Sequence, residues 1–293
     1  MYTAAPVFEP EFNARPAKGQ YPGLYITVPV YGNDSLYLGR NRVAYYPMAN
    51  PASSAYATPL EGDDAPEDDC SQDNPDPDPE GWQALSFGGD YYDEGMACED
   101  KSRRIDCFRA AELLYLHSSY RGNPYADLCL GYIYSYDRCQ GNYLLTWWSP
   151  SGTYDDVYEH PEAFPADEEA CKRFKAAAEA GIAEACYKYG DMLKAGRGCT
   201  ADASLAYQQF VRAYDLGRHD RARIWGSAAL RLATCFEEGA GVRQSLRQAL
   251  SWYEKAETGL SAAIREGDTW YRGALAHSKS GVVRMRQEIS GQY

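Results

Sequence analysis

The chain has 293 residues, of which 42 are acidic and 29 basic, so its formal net charge is −13. This length is enough for one large domain or two small ones with a buried core. The excess of negative charge disfavours nonspecific binding to nucleic acid and to anionic membranes, because both need clustered lysine and arginine. No apolar run approaches the roughly 20 residues that span a bilayer, and residues 1–10 show no pattern of a secretory signal.

Nine cysteines are spread along the chain, and no two of them form a Cys-x-x-Cys pair. Zinc sites favour such close ligand pairs, and the four histidines lie far apart in the sequence. Without a secretory signal, the pattern predicts reduced thiols in a cytoplasmic protein. A disulfide framework and a zinc site are the alternatives, but neither a metal nor any other cofactor is expected.

The N-terminal region at 1–60 is predicted to be an arm with a possible small β-module. Residues 1–20 contain proline and alanine without a clear period, which predicts an irregular segment. Residues 24–30 are rich in β-forming residues, and turn chemistry at 32–34 predicts a return strand at 35–39. A third short strand is expected at 43–46.

An acidic segment follows at 61–80. It contains ten acidic residues, no basic residue and four prolines. Such a segment cannot bury enough apolar area to offset its ordering entropy. The composition therefore predicts a disordered linker.

From Trp82 onward the sequence is helical, and it repeats. The first helix of each repeat contains an alanine that is followed by a small residue five positions later, between mostly apolar residues at offsets four and eight. These offsets lie on one face of a helix, and the small residue lets a neighbouring helix approach closely. In three of four copies a glycine at offset eleven is predicted to end the helix. The alanines are Ala84, Ala126, Ala185 and Ala228, the small residues are Gly89, Gly131, Gly190 and Ala233, and the terminating glycines are Gly95, Gly196 and Gly239.

A second helix follows the first in every copy. Its alanine is followed by an aromatic residue four positions later and by a small residue seven positions later, a pattern suited to helix stacking. The alanines are Ala111, Ala170, Ala206 and Ala249, and the aromatic residues are Tyr115, Phe174, Phe210 and Tyr253. The repeat predicts an all-α fold, an α-solenoid of about four antiparallel helix pairs at 81–293.

Residues 137–166 interrupt the repeat with an insert that is aromatic, acidic and proline-bearing. Insertions of this kind map to loops, often on a binding face. Residues 261–289 continue as helix, and a capping helix is expected to start near Asp268. The basic residues Arg272, Lys279, Arg284 and Arg286 would give that helix a polar outer face, as a solenoid end requires.

Residues 170–198 and 228–256 resemble the Sel-one-like repeat (SLR), which is similar to the tetratricopeptide repeat. Gly196-Arg197-Gly198, Gly239-Ala240-Gly241 and Trp252-Tyr253 stand where that family has a Gly-x-Gly turn and a Trp-Tyr pair. The resemblance covers about residues 82–266 and implies a bacterial adaptor that holds protein partners in assemblies. Secreted relatives pair cysteines between the two helices of a repeat. Only Cys186 matches such a position, so the resemblance disfavours a secreted protein.

The inner face of such a solenoid comes mainly from the first helices, so residues two and six positions after each alanine are expected there. The predicted groove is aromatic in the middle and acidic at the ends, which suits a protein or peptide partner with apolar anchors and some positive charge. The alternatives are ordinary exposed residues and, for the insert, a tryptophan pair that holds the loop down. The predicted partner-binding residues are Asp90, Leu128, Tyr132, Tyr187 and Asp191, with Trp147 and Trp148 of the insert.

No catalytic residues are predicted, because the histidines have no neighbouring cysteine or serine in a nucleophile motif. The Gly-x-Gly turn also lacks the lysine of phosphate loops. The alternative function is a hydrolase with a pocket between the 137–166 insert and the solenoid. That function would need Asp155, Asp156, His160 and Glu162 to converge. A third hypothesis is autoregulation, in which the acidic linker or the N-terminal arm lies in the groove.

Overall fold

The computed structural model describes residues 80–141, 143, 164–218 and 221–291 in full, and residues 7–10, 24–31 and 37–45 as backbone strands. The chain divides into two compact units, Met1–Phe164 and Pro165–Tyr293. The predicted linker up to residue 79 and most of the 137–166 insert lie outside the described residues. Within the described residues, no helix combines the length and the apolar character needed to cross a membrane.

The first unit contains an antiparallel sheet with the strand order β1–β2–β3. The strands are Val7–Pro10 (β1), Leu24–Tyr31 (β2) and Tyr37–Tyr45 (β3). In the register of the sheet, Val7 is opposite Thr27 and Leu24 is opposite Tyr45.

Two expectations for this region are wrong. The separate strands expected at 35–39 and 43–46 are one strand, β3, because the polar residues 40–42 between them also pair in register with β2. The segment at 1–20 is not irregular throughout, since β1 adds to the free edge of β2. In both cases pairing with a neighbouring strand overrides the weak local preference of the residues.

The helices of the first unit are Trp82–Ala97 (α1), Lys101–Tyr120 (α2) and Pro124–Ser135 (α3). The Asp100 side chain caps α2 by accepting a hydrogen bond from the amide of Arg103, and Asn123 caps α3, whose first residue is a proline. Both are favoured N-terminal signals. Consecutive helices pack on each other, α1 on α2 and α2 on α3.

The helices of the second unit follow one another with short connections. They are Ala166–Glu179 (α4), Ala183–Ala195 (α5), Ala203–Gly217 (α6), Ala222–Glu238 (α7), Leu246–Arg265 (α8) and Arg272–Ser290 (α9). Each helix packs on the next, and α7 also contacts α5 and α9. The predicted all-α solenoid of helix pairs is confirmed. The expected capping helix is α9, although its Arg284 lies against Glu237 of α7 instead of facing outward.

The small residue of the first helix packs on the aromatic residue of the second, as the repeat predicts. A β-carbon at Gly190 would lie 2.5 Å from Cε1 of Phe210. In the first copy this role belongs to Gly88, which faces Tyr115, and not to Gly89, which has open space beside it. Gly95 does not end α1 either, because it lies inside the helix against the Phe108 ring.

The two Gly-x-Gly turns join α5 to α6 and α7 to α8. The first glycine of each turn, Gly196 or Gly239, is a left-handed helix cap. The second glycine lies directly on the preceding second helix, since a β-carbon at Gly198 would be 1.9 Å from the carbonyl oxygen of Asp167. At Gly241 the corresponding distance is 2.0 Å, to the carbonyl oxygen of Ala203. This backbone contact fixes one repeat on the next and excludes any side chain at either position.

Candidate protein-interaction site

An exposed row of tyrosines runs along α3 in the first unit. Tyr125, Tyr132 and Tyr136 lie on one side of the helix and at its end, and we call them the tyrosine stripe. Tyr125 and Tyr136 are 47% and 51% exposed, and Tyr132 is half-buried. The opposite side of α3 is buried, because Ala126, Leu130, Ile133 and Tyr134 form part of the core.

Contacts between aromatic rings fix the orientation of the side chains in the tyrosine stripe. Tyr132 and Tyr136 are stacked, with ring centres 5.9 Å apart and an angle of 10° between the planes. The ring of Trp82 from α1 lies 5.7 Å from that of Tyr125, and its side chain is also half exposed. Large rings held in one orientation lose little entropy when they contact a partner.

Arg138 ties the end of α3 to α1. Its Nε donates a hydrogen bond to the hydroxyl oxygen of Tyr92 at 3.2 Å. The guanidinium lies 5.1 Å from the ring centre of Tyr136 and 5.5 Å from that of Phe108. Burial raises the pKa of Tyr92, and the neighbouring Arg138 opposes this effect. The protein therefore already holds a cation against an aromatic ring of the stripe.

The first unit also carries exposed carboxylates. Asp90 and Asp93 are exposed and lie three residues apart on the same side of α1. Asp127 in the first turn of α3 accepts a hydrogen bond from the Ser119 hydroxyl at 2.9 Å. Of the predicted residues in this unit, Asp90 and Tyr132 are accessible, whereas Leu128 belongs to the buried core.

In the second unit, Tyr187 is buried and Asp191 is paired with another residue of the fold. Tyr187 is only 2% exposed, and its hydroxyl donates a hydrogen bond to Glu184 Oε1 at 3.2 Å. The Arg231 guanidinium from α7 lies 4.4 Å from the Tyr187 ring centre and forms a bidentate ion pair with Asp191. Burial raises the pKa of Tyr187 well above its ordinary value. Both predicted residues therefore join α5 to α7, because a long arginine on the next first helix reaches them.

Further ion pairs continue this pattern between the first helices and the capping helix. Glu237 on α7 accepts two hydrogen bonds from Arg284 on α9, at 2.6 and 2.8 Å. Lys194 on α5 pairs with Glu238 on α7 at 2.7 Å. The hydrogen bonds from Arg284 hold the pKa of Glu237 below its ordinary value, and burial opposes this shift.

The repeat pattern does not predict the three arginines that make the long-range contacts described above. Arg138, Arg231 and Arg284 occupy no shared offset from the anchoring alanines. Each bonds a residue 40 to 47 positions earlier, which is about one repeat along the chain. A search for opposite charges at the repeat period would have found the two ion pairs.

Two further candidate sites are the insert at 137–166 and a metal site. Trp147 and Trp148 lie outside the described residues, as do Asp155, Asp156, His160 and Glu162, so the prediction for the insert stays a prediction. Among the residues that the structure describes, no group of three or more histidine, cysteine or acidic side chains is arranged to hold a metal ion.

No protein-family model and no curated protein sequence matches this chain. Among solved structures, the chain is similar to a Sel1 repeat protein from Oxalobacter formigenes, with a TM-score of 0.43 and 19% identity over 73% of this chain and 76% of that chain. It is also similar to a protective antigen of uropathogenic Escherichia coli strains, with a TM-score of 0.30 and 17% identity over 71% of this chain and 54% of that chain. The descriptions of these two structures name a Sel1 repeat and an SLR fold, the repeat that residues 170–198 and 228–256 resemble.

Proposed function

We propose that this protein is a non-enzymatic scaffold that binds a partner protein through the tyrosine stripe of its first unit. The observation that carries the proposal is the exposure of Tyr125 and Tyr136 on either side of the half-buried Tyr132. Tyrosine and tryptophan are enriched at the centres of protein interfaces, where they fill pockets at little entropic cost. Repeat solenoids use extended surfaces of this kind for binding.

The partner segment is expected to be basic and to carry apolar side chains. Arg138 already lies near the Tyr136 ring, which supports a cation as a suitable neighbour for the stripe. Asp90 and Asp93 add exposed negative charge on α1. A lysine or arginine of the partner would gain from both contributions, while its apolar side chains would cover the faces of the rings.

The second unit is expected to support the scaffold and not to form the main contact surface. Its Tyr187 is buried, and its Asp191 is paired with Arg231. A partner that bound these residues would first have to break an existing bidentate pair, which costs binding energy. The predicted groove residues of this unit therefore act in our proposal through the rigidity of the solenoid.

Co-purification of the tagged full chain from its native organism, followed by mass spectrometry, tests the proposal. We expect a partner that the wild-type chain retains and the Tyr132→Ala/Tyr136→Ala variant loses. The matched control is Trp270→Ala, which removes an 82% exposed aromatic side chain from the second unit and should retain the partner.

A second pair of variants separates lost binding from lost folding. Asp90→Lys and Asp93→Lys reverse exposed charges and should leave the circular dichroism spectrum unchanged, yet weaken the binding of a basic segment, most clearly at low salt. Equal recovery of the same partner with the double tyrosine variant and with both charge reversals would contradict the proposed surface. A partner lost only with Trp270→Ala would move the site to the second unit.

A further inference from the structure

Two thiols of the second unit meet where the turn after α5 lies on α4. Arg197 in this turn pairs with Asp167 in the first turn of α4, with 3.0 Å between Nε and Oδ1. The backbone at Gly198 presses on the same Asp167. These contacts place Cys199 of the turn on α4, beside Cys171, and Cys199 is the side-chain hydrogen-bond partner of the Cys171 thiol.

The same contact between a Gly-x-Gly turn and the preceding second helix recurs in the next repeat. Gly241 presses on Ala203 of α6 as Gly198 presses on α4. The residue that follows Gly241 is Val242, and the residue that follows the anchoring alanine of α6 is Tyr207. Both pack against the same core cluster. The two positions that carry apolar side chains packed on one cluster in this repeat therefore carry two cysteines in the other.

The two thiols differ in access to solvent. Cys171 is 5% exposed, whereas Cys199 is half-buried and its thiol donates a hydrogen bond to the carbonyl oxygen of Arg197. Burial, followed by the hydrogen bond with Cys199, raises the pKa of Cys171 to about 12. An external oxidant therefore reaches Cys199 first. Cys171 is placed to attack the product because it lies beside Cys199, and its raised pKa makes this second step the slower one.

We propose that Cys171 and Cys199 form a reversible disulfide, with a small disulfide such as oxidised glutathione as the oxidant. The Cys199 thiolate attacks one sulfur of oxidised glutathione, whose S–S bond breaks and releases one glutathione thiolate. Cys171 then loses its proton and attacks the Cys199 sulfur, which releases the second glutathione. Two cysteine thiols are oxidised to one disulfide, and one glutathione disulfide is reduced to two thiols.

This disulfide would act as a modification site that fixes one repeat to the next. It joins α4 to the turn between α5 and α6, at a place where the contact between repeats is otherwise noncovalent. In a reducing compartment both thiols remain free, in agreement with the thiol state that the sequence predicts. The inference does not depend on the proposed partner surface, because that surface lies in the other unit.

The test equilibrates the full-length wild-type chain in glutathione buffers of increasing oxidised fraction, followed by alkylation and mass spectrometry. Cys139 and Cys171 share one tryptic peptide, so a second protease that cuts after Glu169 is required. We expect labelling to be lost at Cys171 and Cys199 together. One cross-linked peptide should appear, and reduction should abolish it.

Variants establish which cysteine reacts first. Cys171→Ser should accumulate a glutathione adduct on Cys199, whereas Cys199→Ser should leave Cys171 unmodified. The control is Cys186→Ser, which replaces a buried thiol whose hydrogen bond to the Ala178 carbonyl a hydroxyl can keep, and which should oxidise like the wild type. Persistent labelling of both cysteines where a reference dithiol is fully oxidised would overturn the proposal. A disulfide from Cys171 to any other cysteine, or an unresolved adduct on Cys199 in the wild type, would also overturn it.

Discussion

The close approach of α5 and α6 can be tested by adding one methyl group at Gly190. This glycine lies inside α5, and a β-carbon there would be 2.5 Å from Cε1 and 2.8 Å from Cδ1 of Phe210. Phe210 is fully buried and cannot turn away without moving its own neighbours. The Gly190→Ala variant must therefore separate the two helices or strain the aromatic side chain.

Two opposing effects decide the sign of the change in stability. Overpacking of a well-filled core costs about 1–3 kcal/mol. Replacing glycine by alanine inside a helix gains roughly 0.5–1 kcal/mol from the lower entropy of the unfolded chain. The net expectation is a loss of about 1 kcal/mol or somewhat more. Gly89→Ala in α1 is the control, because the new methyl group meets no atom within 4 Å and only the roughly 0.5–1 kcal/mol gain remains.

Urea unfolding followed by far-ultraviolet circular dichroism measures both variants. With a slope of about 1–3 kcal/mol per molar urea, the midpoint for Gly190→Ala should fall by roughly 0.3–1 M and that for Gly89→Ala should rise slightly. Hydrogen exchange of peptides from α5 and α6 should localise the loss. Adding Phe210→Leu to Gly190→Ala should recover part of it, as a double-mutant cycle would show. A Gly190→Ala chain as stable as Gly89→Ala would refute the close-packing argument.

Three further predictions concern charge and oxidation. Arg284 lowers the pKa of Glu237, so this pair stabilises the fold fully above the ordinary glutamate pKa and loses its effect as the pH falls through the folded-state value. Glu237→Gln should therefore lower the urea midpoint at neutral pH, and this effect should shrink as the pH falls below the ordinary glutamate pKa. Arg231→Met should cost about 1 kcal/mol, and less at high salt, because the ion pair is partly exposed. A disulfide between Cys171 and Cys199 closes a loop of about 28 residues and should stabilise the oxidised chain by about 3–4 kcal/mol, a gain that the double serine variant should not show in the same unfolding assay.

The regular copies of the repeat could be predicted from the sequence because helix packing follows residue size. The small residue of one helix and the aromatic residue of the next, predicted at Gly190 and Phe210, meet in the structure. The first copy could not be predicted to the same precision, since it has two adjacent glycines at 88 and 89. An alanine offset cannot choose between them. The ring of Tyr115 on α2 selects Gly88.

The accessible surface was harder to predict than the core. Offsets two and six select Leu128 as well as Tyr132, although only Tyr132 lies on the accessible side of α3. The open side is instead set by which side α2 covers. Tyr187 was expected in the groove for the same reason, but a single arginine from the next repeat covers its ring. A local pattern does not contain these contacts, because one depends on the packing of the preceding helix and the other on an arginine about one repeat away.

Both units contain long-range arginine contacts, but the groups that these arginines meet differ in charge. Arg138 after the end of α3, Arg231 in the middle of α7 and Arg284 on the capping helix each reach back by about one repeat to an earlier first helix. Arg231 and Arg284 meet carboxylates there, so the charges within these two pairs cancel. Arg138 meets a tyrosine hydroxyl and aromatic rings, and it does not pair with Asp90 or Asp93, which stay exposed on α1. We therefore expect a basic partner to be attracted more strongly to the first unit, where the tyrosine stripe lies, than to the helix faces of the second.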